Sequence, residues 1–170
     1  GQLVEQAIQD FEAALALKPG RIDALRGRAI ARRFDAGLRQ GAGLDSKEAW
    51  GKALDQCSAW LDASPGDADA LGNRGIVHSA MALLLIQKRE DPLLAISQAL
   101  QDLDASLAKS PESLEFRSVR ATTLGQKGSW LWLKGKDATE SCRAAVEDAT
   151  MVLKARPDDV GALATRSNAN

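Results

Sequence analysis

The sequence predicts an all-α protein, a solenoid of about seven antiparallel helices in a single domain covering residues 1–170. Three observations lead to this class. Four of the five prolines recur every 46 residues, at positions 19, 65, 111 and 157. Apolar residues between them return with the 3.6-residue period of a helix, and no segment alternates as a strand would. A repeat of this length indicates stacked units rather than one central core.

The repeat divides the chain into paired helices. We name the helix after each repeat proline helix A and the helix before it helix B. Residues 2–18 are predicted to form a first helix B, and residues 157–170 to begin a last helix A. Three repeats lie between them, at residues 19–64, 65–110 and 111–156. The incomplete units are interpreted either as caps or as the cut ends of a longer solenoid.

Each helix A is predicted to run for about 20 residues. Its start is marked by residues that can accept the free N–H bonds of a first turn: Asp67, Ser113 and Asp159. Its end is expected at residues suited to a left-handed C-terminal conformation or aligned with them: Gly41, Arg89 and Gly135.

Each helix B is predicted to span about 18 residues. Its N-caps recur with the repeat: Asp45, Asp91 and Asp137. One apolar face follows the helical period in the first repeat: Trp50, Ala53, Leu54, Cys57 and Leu61. Because the same columns are apolar or small in the sister repeats, this face is expected to form the core.

Two columns of small residues predict where helices A and B cross closely. In helix A they are Ala29, Gly75, Ala121 and Ser167. In helix B they are Ala7, Ala53, Ala99 and Ala145. A bulky side chain at such a crossing is expected to overpack it.

Composition excludes several classes of protein. The formal net charge is −1, so bulk charge does not support nucleic-acid binding. The longest apolar run, 80–86, is far shorter than the ~20 residues of a membrane span. Cys57, Cys142 and the single His78 do not match a disulfide framework or metal-ligand spacing, so no metal site is expected. With no phosphate loop and no nucleophile beside a base, we expect neither enzyme activity nor a cofactor.

The junctions between repeats resemble a known family. Residues 7–19 read AIQDFEAALALKP, and residues 70–75 read ALGNRG. Both resemble the tetratricopeptide repeat in its N-R-G form, which implies a right-handed superhelix with a concave face lined by helices A. That repeat has 34 residues, so the present one has about 12 more, which we interpret as extra turns on both helices. Arg117, where the sister repeats have leucine, and the lack of tyrosine also depart from the family.

An arginine column accompanies the repeat: Arg28, Arg74, Arg120 and Arg166. An acidic column in helix B accompanies it: Asp10, Asp102 and Asp148, with Gln56 in the remaining place. In the N-R-G type of repeat these positions look like an ion pair between helices, which is the favoured interpretation. A ladder of anion-binding arginines is the alternative.

The first helix A carries further arginines that its sister helices lack: Arg21, Arg26, Arg32, Arg33 and Arg39. Such a stripe could receive an acidic peptide or a phosphate group. The alternative interpretation is an ordinary solvated face.

The resemblance also implies which residues line the groove. In the three repeats the partner-binding candidates are Arg26, Ile30, Arg33 and Phe34; Asn73 and Ile76; and Ser118, Thr122 and Gln126. Asn73 is the best match to a family asparagine that holds a peptide backbone. Trp130 and Trp132 are expected to pack the extra turns, although an exposed pair would suit a binding hot spot.

The leading functional prediction is a non-catalytic scaffold that binds a peptide or protein segment in this groove. The alternative is an oligomerisation, assembly or regulatory module of a longer protein that uses the open ends of the solenoid, including assembly into homo-oligomers. A direct enzyme or small-molecule binder is the least favoured. No partner of nucleic acid and no membrane insertion are expected. Because no signal peptide is visible, a cytoplasmic location is expected.

Overall fold

The computed structural model describes residues 2–169, which fold into α-helices alone. Their bounds are α1 Gln2–Leu17, α2 Ile22–Gly41, α3 Lys47–Ala63, α4 Ala68–Gln87, α5 Leu93–Lys109, α6 Leu114–Leu133, α7 Thr139–Ala155 and α8 Val160–Ala169. The all-α class is confirmed. The described residues form eight helices rather than about seven, because the beginning of the last helix A is itself helical. The predicted domain limits, Gly1 and Asn170, lie outside the described residues.

The starts of the A helices follow the predicted capping. The carboxylate of Asp67 accepts a hydrogen bond from the backbone N–H of Ala70 at 3.0 Å, and Asp159 accepts one from Ala162 at 2.9 Å. Ser113 accepts from the N–H of Phe116 in the same way. Because each bond satisfies a donor that the helix leaves free, the turn after each proline ends at a defined residue.

The A helices end through a repeated left-handed residue. Gly43, Arg89 and Gly135 have φ of 71°, 61° and 65°. The prediction of Gly41 for the first repeat was therefore wrong in one respect: α2 ends at Gly41, but the left-handed residue is Gly43. At the end of α4 the left-handed residue is Arg89, whose Cβ makes this conformation less favourable than it is for glycine.

The B helices begin one residue later than predicted. Asp45 accepts a bond from the N–H of Lys47, two residues on, and Asp91 and Asp137 do the same in their repeats. The residue between each aspartate and its helix occupies the cap position itself. The result is an A helix of 20 residues and a B helix of 17 in every complete repeat.

The described helices form two layers, and only the helices of one layer contact each other. Consecutive helices pack against one another along the chain, and α2, α4, α6 and α8 also touch their neighbours within one layer. In the described part of the chain, α1, α3, α5 and α7 make no such contacts with each other. The A helices therefore lie on the shorter, inner path of a curved solenoid, and the B helices lie outside.

Packing is distributed along this solenoid. The buried apolar residues fall into several separate clusters, the largest around α2, α3 and α4. The accessible surface is 9377 Å², above the roughly 8,100 Å² that the size relation gives for a compact monomer of this mass. At the crossing of α4 and α5, a Cβ on Gly75 would lie 2.7 Å from Leu103 Cγ and 3.2 Å from the Ala99 carbonyl oxygen. The small column therefore marks a close crossing, as expected.

Candidate functional site

Three of the predicted groove residues occupy equivalent positions in successive A helices. Ile30 of α2 and Ile76 of α4 are half-buried there, and Thr122 of α6 is exposed. These three predicted groove residues occupy the same place in successive A helices, so the face they define runs across the inner layer.

An apolar cavity of about 370 Å³ opens between α2 and α4. Its lining comprises Arg33, Phe34, Gly37, Leu38, Gly41, Trp50 and Ile76. The cavity thus brings together three of the predicted groove residues: Arg33, Phe34 and Ile76. The Phe34 side chain is 55% exposed and Leu38 is 52% exposed, whereas Trp50 is buried and donates from its indole Nε1 to Gln40 Oε1 at 3.0 Å.

Two ion pairs join α2 to other A helices, and the arginine of one of them lines the cavity. Arg26 Nη2 lies 2.9 Å from Asp69 Oδ2, which joins α2 to α4. Arg33 Nη1 lies 3.4 Å from Glu115 Oε1, which joins α2 to α6. The guanidinium of Arg33 also lies 5.0 Å from the centre of the Phe34 ring, a cation–π contact. The rim of the cavity therefore carries one charged side chain, Arg33, which is paired with Glu115.

The remaining arginines of α2 are also mostly neutralised. Arg21 pairs with Asp23, Arg32 with Glu12, and Arg39 with Asp35, each at 2.8–2.9 Å. These cations therefore have carboxylate partners. Arg21, Arg26 and Arg39 nevertheless keep 55%, 54% and 48% of their side-chain surface exposed, which agrees with a solvated face.

The prediction for Asn73 was wrong. Its side chain is only 5% exposed, and its Nδ2 donates to the Asp69 carbonyl oxygen of its own helix at 2.8 Å. Next to it, the Phe116 ring occupies the space above Gly72, where a Cβ would come within 2.4 Å of the ring. The Asn73 Oδ1 atom is also buried and has no hydrogen-bond partner among the described residues, so this amide is not exposed to a segment in the groove.

The last three predicted groove residues lie along α6. Ser118 and Gln126 are half-buried, and Thr122 is exposed. Thr122 Oγ1 donates to the Ser118 carbonyl oxygen at 3.1 Å and lies 3.4 Å from Thr165 Oγ1 of α8. They do not contribute to the lining of the apolar cavity.

The Arg–Asp column forms ion pairs in two repeats. Arg74 donates from Nε and Nη2 to both oxygens of Asp102, each at 2.7 Å. Arg120 holds Asp148 in the same bidentate way at 2.6 and 2.8 Å, and Arg117 adds a contact at 3.3 Å. Both aspartates are buried. These hydrogen bonds raise the pKa of Arg74 and of Arg120 above the usual value, so both stay charged.

The column is incomplete elsewhere, which corrects the prediction for Arg28, Arg166 and Asp10. Arg28 faces the place that Gln56 occupies; its Nε and Gln56 Oε1 are buried with no hydrogen-bond partner among the described residues. Burial lowers the pKa of Arg28, against the opposing effect of Glu12. Within residues 2–169, Arg166 has no ion-pair partner, and Asp10 is exposed and accepts only from Gln6 of its own helix.

The single histidine, one of the two cysteines and one of the two C-terminal tryptophans are buried. His78 is buried 4.0 Å from Asp102, and its burial lowers its pKa. Burial raises the pKa of the Cys57 thiol to about 12. The tryptophans separate: Trp130 is buried under Lys134, whereas Trp132 is 77% exposed. Across residues 2–169 no group of His, Cys, Asp and Glu could hold a metal ion.

Leu38 and Trp50 also line the cavity, and neither is among the groove residues that the sequence predicts. Leu38 follows Phe34 by four residues, and that spacing on one helix face is a signal that could have identified it. Trp50 was assigned to the core; it is buried there and also forms part of the cavity wall.

No known family model, curated protein or solved structure gives a significant match to this chain. Among the described residues, no helix is both long enough and apolar enough to cross a membrane.

Proposed function

We propose that this chain is a non-catalytic scaffold of the tetratricopeptide type, which binds an extended peptide or protein segment along the inner face of its A helices. The observation that carries the proposal is the apolar cavity between α2 and α4, which is lined by the exposed Phe34 and Leu38 and by the ion-paired Arg33. The two free cysteines, Cys57 and Cys142, suit a reducing compartment, for which we propose the cytoplasm.

The cavity has the composition of a binding anchor point. Phe34 and Leu38 expose apolar surface that a partner would remove from water, which is favourable at about 25 cal/mol per Å². Buried aromatic anchors commonly dominate the energy of protein interfaces. The partner segment is therefore expected to place one bulky aliphatic or aromatic side chain between α2 and α4.

The rim determines what can flank that side chain. Asp69 and Glu115 are 46% and 57% exposed, and Arg26 is 54% exposed. The Arg26–Asp69 pair is exposed on both sides and contributes only about 0–1 kcal/mol. In the other pair Arg33 is only 16% exposed, so an acidic group of a partner can take the place of the exposed Glu115 as the partner of Arg33. We expect charged or polar residues of the segment on either side of its apolar anchor.

Selection from a random peptide library on the immobilised protein tests the proposal. The selected peptides are expected to contain a recurring bulky apolar residue. In titrations with the purified protein, Phe34→Ser should weaken their binding by at least about tenfold, because it removes the exposed ring at the cavity mouth.

A matched control comes from the outer layer. Leu94 of α5 is 74% exposed and lies on a B helix, so Leu94→Ser should leave the affinity unchanged. Equal affinity for the wild-type chain and the Phe34→Ser variant, or an equal loss in both variants, would show that the cavity is not the binding site.

A further inference from the structure

A polar cleft with charged side chains on its floor opens between α3 and α5, two helices of the outer layer. Its volume is about 320 Å³, at the lower end of the range for small-molecule sites. The floor is formed by Arg74, His78 and Asp102. The cleft lies in the middle of the described chain, and the helices that flank it belong to complete repeats.

One end of the Arg74 guanidinium lacks a carboxylate partner that its equivalent has. Its Nε and Nη2 donate to Asp102, and Arg120 holds Asp148 with the same two atoms. The remaining nitrogen differs between the two repeats. Arg120 Nη1 donates to Asp104 of the preceding helix B at 2.8 Å, whereas Arg74 forms no second ion pair within residues 2–169.

The repeat explains this difference, because Ser58 occupies the position of Asp104 one repeat earlier. One repeat earlier still the position is Glu12, which pairs with Arg32 at 2.8 Å. On both sides of the second repeat, an acidic side chain of a helix B therefore pairs with an arginine of the next helix A. Between them the short, uncharged Ser58 lines the cleft.

The buried histidine occupies the position of a second cation. His78 stands 46 residues after Arg32, the arginine that pairs with Glu12. Its side chain is 10% exposed, and its Nε2 lies 4.0 Å from Asp102 Oδ2, beyond hydrogen-bond distance. Burial lowers the pKa of His78, Asp102 of α5 opposes this effect, and Arg74 of its own helix adds to it.

The walls of the cleft add polar groups without adding charge. α3 contributes Leu54 and Ser58, and α5 contributes Gln98 and Gln101. The hydroxyl and the two side-chain amides are further donors to an anion in the cleft.

Charge balance indicates the class of ligand. In the third repeat two arginines face two carboxylates. In the second repeat Asp102 is the carboxylate of the floor, and Arg74 and a protonated His78 are the corresponding cations. One further carboxylate therefore balances the site when His78 carries a proton. The planar carboxylate also matches the donor geometry of a guanidinium.

We propose that this cleft binds a small organic carboxylate, which accepts hydrogen bonds from Arg74 Nη1 and from His78 in its protonated form. The bound group takes the place beside Arg74 that the Asp104 carboxylate has beside Arg120. Binding is coupled to proton uptake by His78, so it strengthens as the pH falls.

Proton NMR spectroscopy tests the proposal, because His78 is the single histidine of the chain and its imidazole signal is unambiguous. At constant ionic strength, propionate should shift this signal saturably and raise the pKa of His78. Its affinity should be at least about fivefold higher at pH 5.5 than at pH 7.5. Propionamide, which has the same shape without the charge, should do neither. Equal shifts with both compounds, or no saturable shift with propionate, would overturn the proposal.

A peptide distinguishes a free acid from the side chain of a partner protein. A tripeptide with blocked ends and a central glutamate should bind no more tightly than propionate does. Tighter binding of the tripeptide would overturn the assignment to a free acid and favour an acidic side chain instead.

A variant can supply the carboxylate from within the chain. Ser58→Asp should raise the pKa of His78 without any ligand and abolish the response to propionate, because the new aspartate copies Asp104. Ser97 is exposed on α5 and does not line the cleft, so Ser97→Asp adds the same charge and should respond as the wild type does. Circular dichroism should show the same helix content in both variants. A Ser58→Asp protein that still responds to propionate would contradict the proposal.

Discussion

The first and third repeats contain the same helices but differ in how their interior charge is compensated. In the third repeat, α6–α7, Arg117 and Arg120 converge on the buried Asp148, and Arg120 also reaches Asp104 at 2.8 Å. In the first repeat, α2–α3, Arg28 has Gln56 in the place of the aspartate, and a buried atom of each lacks a partner. The backbone repeat is thus kept without the ion pair that accompanies it elsewhere.

The difference teaches that this helix pair forms without a buried ion pair, so the ion pair is not a requirement of the repeat. The apolar cavity lies mostly in the first repeat, where Arg28 has no buried carboxylate partner. Binding surfaces are commonly drawn from the less stable parts of a protein. The first repeat is therefore expected to open more readily than the third.

The largest change should come from removing the third repeat's aspartate. Asp148→Ala leaves two arginines side by side with no buried carboxylate, which should lower the free energy of unfolding by about 3–5 kcal/mol. Urea denaturation followed by circular dichroism measures this. The exposed Asp158→Ala serves as the control and should change the free energy of unfolding by less than about 0.5 kcal/mol; a similar value for both variants would contradict the structural role of Asp148.

The converse change should complete the first repeat. Gln56→Asp supplies Arg28 with the carboxylate that its sister arginines have, and should raise the free energy of unfolding by about 1–2 kcal/mol, since charge-assisted hydrogen bonds are among the stronger ones. The same denaturation experiment measures the gain. The increase should disappear in the Arg28→Met background, and its persistence there would assign it to another cause.

Thiol labelling should detect the opening of the first repeat directly. Cys57 is fully buried in α3, and burial raises its pKa to about 12, so it reacts only when the repeat opens. Gln56→Asp is expected to slow its reaction with a disulfide reagent about five- to tenfold in the native protein. Cys142 of α7 is less buried and is an internal reference whose rate should not change. An unchanged rate of Cys57 labelling would show that the new ion pair does not control the local opening of the first repeat.

The smallest effect concerns pH and the second repeat. Burial lowers the pKa of His78, with Asp102 opposing and Arg74 adding to the shift. The unfolded chain therefore binds this proton more tightly, so the free energy of unfolding should fall as the pH drops below about 6.5. His78→Leu, which copies Leu124 of the third repeat, should flatten this dependence between pH 7.5 and 5.5. Parallel curves for the two proteins would exclude His78 as its source.

The helices were predictable from the sequence to within a residue or two, because their signals are local. Prolines, aspartate caps and left-handed stops recur with the repeat, and each acts within one helical turn. The cavity was predictable in part: the family positions identified Arg33, Phe34 and Ile76 as groove residues. The burial of Asn73 was not predictable, because burial depends on packing between helices that the position of a residue in the repeat does not reveal. The Phe116 ring over Gly72 is such a contact between two repeats.

The gaps between the outer helices have a mechanical consequence. A cleft of about 320 Å³, with Leu54 of α3 on one side and Gln98 of α5 on the other, separates helices that do not touch. Bending the solenoid can narrow or widen such clefts without stretching the continuous inner layer, so we expect its curvature to change more easily than its length. The Arg33–Glu115 bridge spans three inner helices and opposes this bending. A bound segment that replaced one member of this ion pair would make the solenoid easier to bend. The angle between its first and last helices would then vary more.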